Sequence, residues 1–397
     1  MHNKCMRKNI HTFIRIATAV LVSASIFPIN IYANTNTICS VSAESAVLYA
    51  EERGEFLYQK NAHRRMPIAS TTKIMTAYTV LSAKDVNETV VIPKEACGIE
   101  GSSIYLEEGE RLTILELLEA LMLQSANDAA VALAIATDGS IEAFAERMNR
   151  LVKEMGLSDT YFTNPHGLDD PDHYSSAYDL ALIASKAMEN ATFRTLCKSK
   201  VAKIPGKDGG VRVLVNHNKL LRLCDSAVGV KTGFTKKSGR CLVGAAERDG
   251  VTLISVTLNA PNDWNDHQNM FSYGFSLYEN REIAKKGALT YKAPIVGGEK
   301  CEVHLTNSED IFAVLPKEAT HIETIPEWNR PILAPVKAGE VVGTVYFKVD
   351  GEVVAESSLV ATESINKAVT KGKVNNGRKS KTPKIFSRCR RFVSQGG

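Results

Sequence analysis

The sequence encodes no cysteine-based scaffold. Its eight cysteines include no CxxC pair, and removing Cys5 with an N-terminal leader leaves an odd seven: Cys39, Cys97, Cys197, Cys224, Cys241, Cys301 and Cys389. That argues against both a disulfide framework and a thiolate zinc site, and leaves buried free thiols as the expectation. The nine histidines form neither HxxxH nor HExxH. His166 and His173 fall in a Gly/Pro/Asp-rich loop, where a solvated or structural role is expected rather than metal ligation. No apolar run reaches the roughly 20 residues that a membrane-spanning helix needs. Acidic residues are missing from both ends. Residues 1–33 carry Lys4, Arg7, Lys8 and Arg15 with no acid, and residues 367–397 carry ten Lys or Arg with none. Between them, 34 basic residues face all 44 acidic ones, a net of −10 hidden behind an overall +4. An acidic body offers no face for counterion release, so nucleic acid is excluded as a partner.

What remains is ordinary globular composition, 44% hydrophobic and 23% charged over 397 residues, enough for two or three domains. A basic start, an apolar run from Ile16 to Phe27 broken at Pro28, and small residues at Ile31-Tyr32-Ala33 or Val41-Ser42-Ala43 read as a cleaved export signal over residues 1–33. Alternation over Ser45–Tyr58 predicts two short strands about Arg53-Gly54. Helical spacing follows at Lys73–Leu81, Leu112–Leu123, Ala129–Ala136, Ile141–Met155 and Tyr178–Met188. From Ala227 the period changes to two. Val228–Lys231, Cys241–Glu247 and Thr252–Leu258 predict antiparallel strands, and Asp266–Tyr278 returns to helix. Past about residue 288, short β-type runs at Lys300–Leu305, Ile311–Leu315, Val341–Lys348 and Glu352–Val360 predict a small all-β domain over 289–362. The polar, basic stretch 363–397 reads as a tail. Residues 34–288 form the larger domain, α/β (α+β) in class, an antiparallel sheet flanked by helices.

Three short motifs stand in the larger domain: Ser70-Thr71-Thr72-Lys73, Ser125-Ala126-Asn127 and Lys231-Thr232-Gly233. Alone, SxxK and SxN say little. Each should occur about once by chance in this length, and Ser364-Ile365-Asn366-Lys367 satisfies both. Their setting gives them meaning. Ser70 and Lys73, three apart at a helix start, share one face near unpaired backbone N–H groups. A serine hydroxyl needs a base, and a lysine serves if burial and a second cation, here Lys231, depress its pKa. Taken alone, Ser70 reads more readily as a helix cap beside a solvated Lys73. Ser125-Ala126-Asn127 interrupts two apolar helices, a costly break unless its polar groups are used, although it or Asp128 also suits an N-cap. Gly233 in a strand permits another backbone, such as a bound peptide, to come close. Beside it, Lys231 and Thr232 suit a substrate carboxylate.

In this order, the motifs resemble the signature of the serine penicillin-recognising enzymes, SxxK, SxN and KTG. Lys231-Thr232-Gly233-Phe234-Thr235 with Ser238-Gly239-Arg240-Cys241-Leu242, Asn164-Pro165-His166-Gly167-Leu168 and Asn216-His217-Asn218-Lys219-Leu220-Leu221 narrow the resemblance to the low-molecular-mass penicillin-binding proteins, which are D-alanyl-D-alanine carboxypeptidases. The resemblance spans roughly residues 44–360. It implies peptidoglycan stem peptides as substrate, β-lactams as covalent inhibitors, and no metal or organic cofactor. It implies Ser70 as nucleophile, Lys73 as its base, and Ser125 as proton relay to the leaving D-alanine. Asn127 would orient the substrate and Lys73. Lys231, with Thr232 and Gly233 beside it, would polarise Ser125 and attract the carboxylate. Backbone N–H groups of Ser70 and Phe234 would form the oxyanion hole. Some members carry Arg in the middle of the Asn216–Asn218 segment; this chain has His217, near the substrate carboxylate.

A β-lactamase or a transpeptidase on the same fold is the alternative. The nearest approach to the class A ExxLN segment, Glu154-Met155-Gly156-Leu157-Ser158, ends in Ser inside a helical pattern. An inert peptidoglycan-binding scaffold would lack Ser70 or Lys73, and a zinc carboxypeptidase would need a ligand cluster. In the tail, Thr382-Pro383 suits a helix start. Ile385, Phe386, Cys389, Phe392 and Val393 then fall on one face, with Lys384, Arg388, Arg390 and Arg391 on the rest. Such a segment suits the surface of an anionic membrane, and the expected location is extracytoplasmic, on the outer face of the cytoplasmic membrane.

Overall fold

A computed structural model of the chain describes residues 40–328 and 331–369. The signal and the basic amphipathic segment from Thr382 lie outside those residues, as do Cys39 and Cys389.

The larger domain is built on a five-stranded antiparallel sheet in the order Glu55–Lys60, Ser45–Ala50, Val251–Leu258, Gly239–Arg248, Ala227–Thr235. The three inner strands are buried on both faces, and their residues divide by parity. Val47, Val243, Ala245, Ile254 and Val256 join one core cluster, whereas Ala46, Leu48, Leu242, Ala246 and Leu253 join the other. Near-continuous apolar strands of this kind need cover on both sides. The helix Asp263–Leu277 covers one face through Met270, Phe271 and Phe275, and a helical layer from the long insertion between residues 61 and 226 covers the other.

At the centre of that layer runs Asn127–Asp138. Every residue from Asn127 to Ala134 is buried, so the first two turns of this helix are sealed on all sides and not merely along a stripe. The preceding helix, Ile114–Leu123, starts at a capping box. Thr113 Oγ1 accepts from Glu116 N at 3.2 Å and Glu116 Oε2 accepts from Thr113 N at 2.7 Å. The expected helices at 73–81, 141–155 and 178–188 are present as Lys73–Leu81, Ile141–Glu154 and Ala177–Met188. Between Met188 and Ala227 the structure adds the helix Ala191–Lys198 and a hairpin, Val201–Pro205 with Val211–Val215, which the pattern did not announce.

The second domain is all-β, with a six-stranded sheet and a two-stranded one. In the latter, Tyr278–Ala284, which directly follows the last helix, pairs with Ile311–Pro316. Val303, Leu305, Val345, Phe347 and Leu359 fill its core. Ile365, in the polar stretch after Glu363, is fully buried there and bridges Val336.

Candidate active site

Ser70 stands in a single 3-10 turn, Ala69–Thr72, that runs straight into the helix starting at Lys73. The spacing expected for one face of an α-helix is therefore achieved across a tighter turn. Lys73 Nζ lies 2.9 Å from Ser70 Oγ. Its other partners are Asn127 Oδ1 at 2.7 Å and the carbonyl of His166 at 2.6 Å. Lys73 is fully buried, which excludes the solvated alternative. Burial, followed by the nearby Lys231 cation, holds its pKa well below the ordinary lysine value, against a smaller opposing pull from Asp128.

Two backbone segments close on the Ser70 turn. In the first, Asn164–Leu168, Asn164 Oδ1 accepts from Gly167 N at 2.7 Å and Thr76 Oγ1 donates to Pro165 O at 2.6 Å. Gly167 has φ +86°, and a Cβ there would sit 2.0 Å from Ala69 O. In the second, Gly233 faces the other side of the turn. A Cβ on Gly233 would meet Ile68 O, Ser70 N and Thr71 N at 3.0–3.1 Å. The backbone whose close approach Gly233 permits is thus the chain's own Ser70 turn. Its strand is nevertheless the sheet edge, with one side unpaired within the sheet.

Lys231 is buried, and burial pushes its pKa down to about 7; its ammonium donates to Thr232 O at 3.0 Å. Beneath it lies the buried Cys197, whose thiol is pushed up by desolvation. Ser125 is buried with φ +60°, and Ala126, not Ser125 or Asp128, occupies the N-cap position, with no side-chain cap. A non-glycine residue in the left-handed region costs about 1–2 kcal/mol, so the break is held by its surroundings. Asn127 N bonds Ser102 O at 2.7 Å, and Asn127 Nδ2 bonds Glu100 O at 2.6 Å. His217 is exposed at the edge of the site. Desolvation and then Lys231 lower its pKa, and its N–H bonds Leu123 O at 3.3 Å. Phe234 is 66% exposed at the rim.

His173 is buried and His166 is partly buried, and both take structural places in the loop. His173 Nδ1 accepts from Thr163 N at 3.1 Å, so Nε2 carries the proton given to Thr72 Oγ1 at 2.8 Å. Desolvation pushes His166 down to about 3 and His173 to about 4, so both are neutral near pH 7. Among the described residues no group of His, Cys, Asp and Glu is arranged to hold a metal.

The family model of D-alanyl-D-alanine carboxypeptidase matches residues 32–262, and the model of the penicillin-binding protein 5 C-terminal domain matches 278–381. The chain belongs to the D-alanyl-D-alanine carboxypeptidase family. It is 34% identical to DacF of Bacillus subtilis over 82% of this chain and 86% of that one. With DacA of Escherichia coli it shares 30% over 90% and 92%. Penicillin-binding protein 5 of Haemophilus influenzae superposes with a TM-score of 0.63 at 28% identity, over 84% of this chain and all of the other. The Streptomyces K15 DD-transpeptidase superposes with a TM-score of 0.58 at 35% identity, over 61% of this chain and all of that one.

Within this carboxypeptidase framework the structure adds groups that sequence reasoning passed over. The His166 carbonyl left no side-chain signature. Asp128 did leave one, a carboxylate opening an otherwise apolar helix, which must find partners when buried. It accepts from Ser103 Oγ at 2.6 Å, Leu106 N at 3.0 Å and Ile104 N at 3.1 Å, and so fixes the loop that clamps Asn127.

Proposed function

We propose that the protein is a serine-type D-alanyl-D-alanine carboxypeptidase that removes the terminal D-alanine from peptidoglycan stem pentapeptides through an acyl-enzyme on Ser70, and that β-lactams acylate the same oxygen. The carrying observation is the environment of Lys73. A neutral lysine has two N–H donors and one lone pair. Asn127 Oδ1 and His166 O take the two donors, and the lone pair is left for the Ser70 hydroxyl proton.

Ser70 Oγ then attacks the carbonyl of the penultimate D-alanine while Lys73 takes its proton. Backbone N–H groups of Ser70 and Phe234 stabilise the oxyanion. Ser125 passes a proton to the leaving amine, under the field of Lys231. Lys231 and Thr232, with His217 beside them, hold the terminal carboxylate, while Gly233 keeps this strand against the Ser70 turn. Water attacks the ester and frees Ser70. The peptide lies along the open edge of Ala227–Thr235 as an added strand.

Intact-mass measurement after incubation with benzylpenicillin tests the assignment. Wild type gains one adduct, whereas Ser70→Ala gains none and releases no D-alanine from a pentapeptide. An alanine variant that turns over at the wild-type rate would refute it.

We further propose export by residues 1–33 and peripheral docking on the outer face of the cytoplasmic membrane through 367–397, with no role for nucleic acid. No helix among the described residues is long and apolar enough to cross a membrane. The ten basic residues from Lys367 each add up to about 1 kcal/mol of attraction to an anionic surface.

A further inference from the structure

The two segments that close on the Ser70 turn are also joined to each other. Asp169 directly follows Leu168, and its Oδ1 accepts from Thr235 Oγ1 at 3.0 Å. Each end of this bond is fixed by its own segment. On the loop, Asn164 Nδ2 donates to Leu168 O at 3.1 Å while Asn164 Oδ1 accepts from Gly167 N at 2.7 Å, so the backbone entering Asp169 is fastened. On the strand, Thr235 N donates to Ser238 Oγ and Ser238 N donates to Thr235 Oγ1, both at 3.0 Å, and Ser238 is buried. The Thr235 hydroxyl proton can reach Ser238 Oγ at 3.0 Å or the Asp169 carboxylate, and the carboxylate is the stronger acceptor. The loop leads onward to Lys73, through the His166 carbonyl, and to Ala69, through Gly167. The strand leads to the other half of the site. Gly233 packs on Ser70 N, and Phe234 directly precedes Thr235. As an edge strand, Ala227–Thr235 has no ladder on its outer side to hold that end in place.

We propose that Asp169 is a positioning residue for acyl transfer: through Thr235 it keeps the Phe234 amide at the distance from the Ser70 turn that the developing oxyanion requires. It acts on the strand end and touches neither the reacting atoms nor Lys73. An oxyanion donor works over a narrow range of about 2.7–3.1 Å, and a displacement of about 1 Å costs about 100-fold in rate. Asp169 is exposed, so its bond adds little to folding, and its loss falls on the rate. This inference rests on the carboxypeptidase reading above.

The test follows benzylpenicillin acylation of the full chain by stopped flow, which separates the non-covalent dissociation constant from the acylation rate constant. Asp169→Ala should slow acylation about tenfold. Its dissociation constant, urea midpoint and the acid limb of its pH profile should stay where wild type has them. Thr235→Val should be slowed at least as much, and the double variant should be no slower than Thr235→Val, because both changes remove one bond. Asp169→Asn, which keeps an acceptor, should recover most of the rate. An unchanged rate in Asp169→Ala overturns the inference, as do losses that add in the double variant. So does an effect confined to the dissociation constant, or one that tracks a fall in the urea midpoint. A displaced acid limb would put the effect on Lys73 through the His166 carbonyl, and overturns it too. In each case the carboxypeptidase reading stands. A wild type that forms no penicillin adduct overturns that reading, and this inference with it.

Discussion

Lys73 and Lys231 are two buried amines that repel one another, and the consequence is a pH dependence with a definite sign. As the proposed base, Lys73 must be neutral, so acylation should be lost as pH falls through its depressed pKa. Removing the second cation removes a force that lowers that pKa. Lys231→Met should therefore move the acid limb of the penicillin acylation profile to higher pH, besides weakening carboxylate binding. An unmoved limb would show that Lys231 does not tune the base. Lys73→Arg retains charge but cannot deprotonate, so adduct formation should slow by about 100- to 10,000-fold. These two lysines were legible in the sequence because each sits in a short motif of fixed spacing. Asp128 was less so, because a carboxylate beside Asn127 looks like any helix cap until the amides of Ile104 and Leu106 are seen to converge on it.

The 3-10 turn carrying Ser70 is shaped by its neighbours more than by its own residues. Ala69 has φ +47°, an unfavourable value for alanine, and is pressed by Gly167 from one side while Gly233 meets the rest of the turn from the other. Gly167→Ala should thus destabilise the protein by about 1–3 kcal/mol, read as a lower urea midpoint, and slow acylation by displacing the turn. An unchanged midpoint and acylation rate would mean that the loop yields freely. Among the elements, long apolar helices and paired strands were readable from periodicity. The hairpin Val201–Pro205 with Val211–Val215 was not, because its valines face outward: Val201, Val211 and Val213 are all more than half exposed, while Ile204 and Leu214 are buried and Ala202 packs beside them on the core. The strand Glu323–Trp328 was hidden in the same way, since its Glu and Pro residues interrupt any apolar alternation.

At the scale of the molecule, every proposed site residue precedes the second domain in sequence. The domains meet through Val314, which joins the core of the sheet's outer face, and through the pair Arg53 Nη2–Glu352 Oε2 at 2.9 Å. Glu352 is largely exposed, so Glu352→Gln should change stability by no more than about 1 kcal/mol. A chain ending at Leu277 should still be acylated by penicillin within a few-fold of the full rate, with a lower Tm from the bared apolar surface; loss of acylation in a folded truncation would give the second domain a part in the chemistry. Liposome flotation with and without residues 367–397 checks the tail, because equal binding to anionic vesicles would remove it as the anchor. The sheet order has a further consequence, for biosynthesis. Ser45–Ala50 pairs with Val251–Leu258, so the strand made first waits for one made some two hundred residues later. A nascent chain halted after Lys231 would already contain Ser70, Lys73, Ser125 and Asn127, yet lack two of the three inner strands that hold them in register. Interrupted translation or translocation therefore yields fragments blind to β-lactams, and the capacity to cut peptidoglycan switches on only once almost the whole larger domain has been delivered.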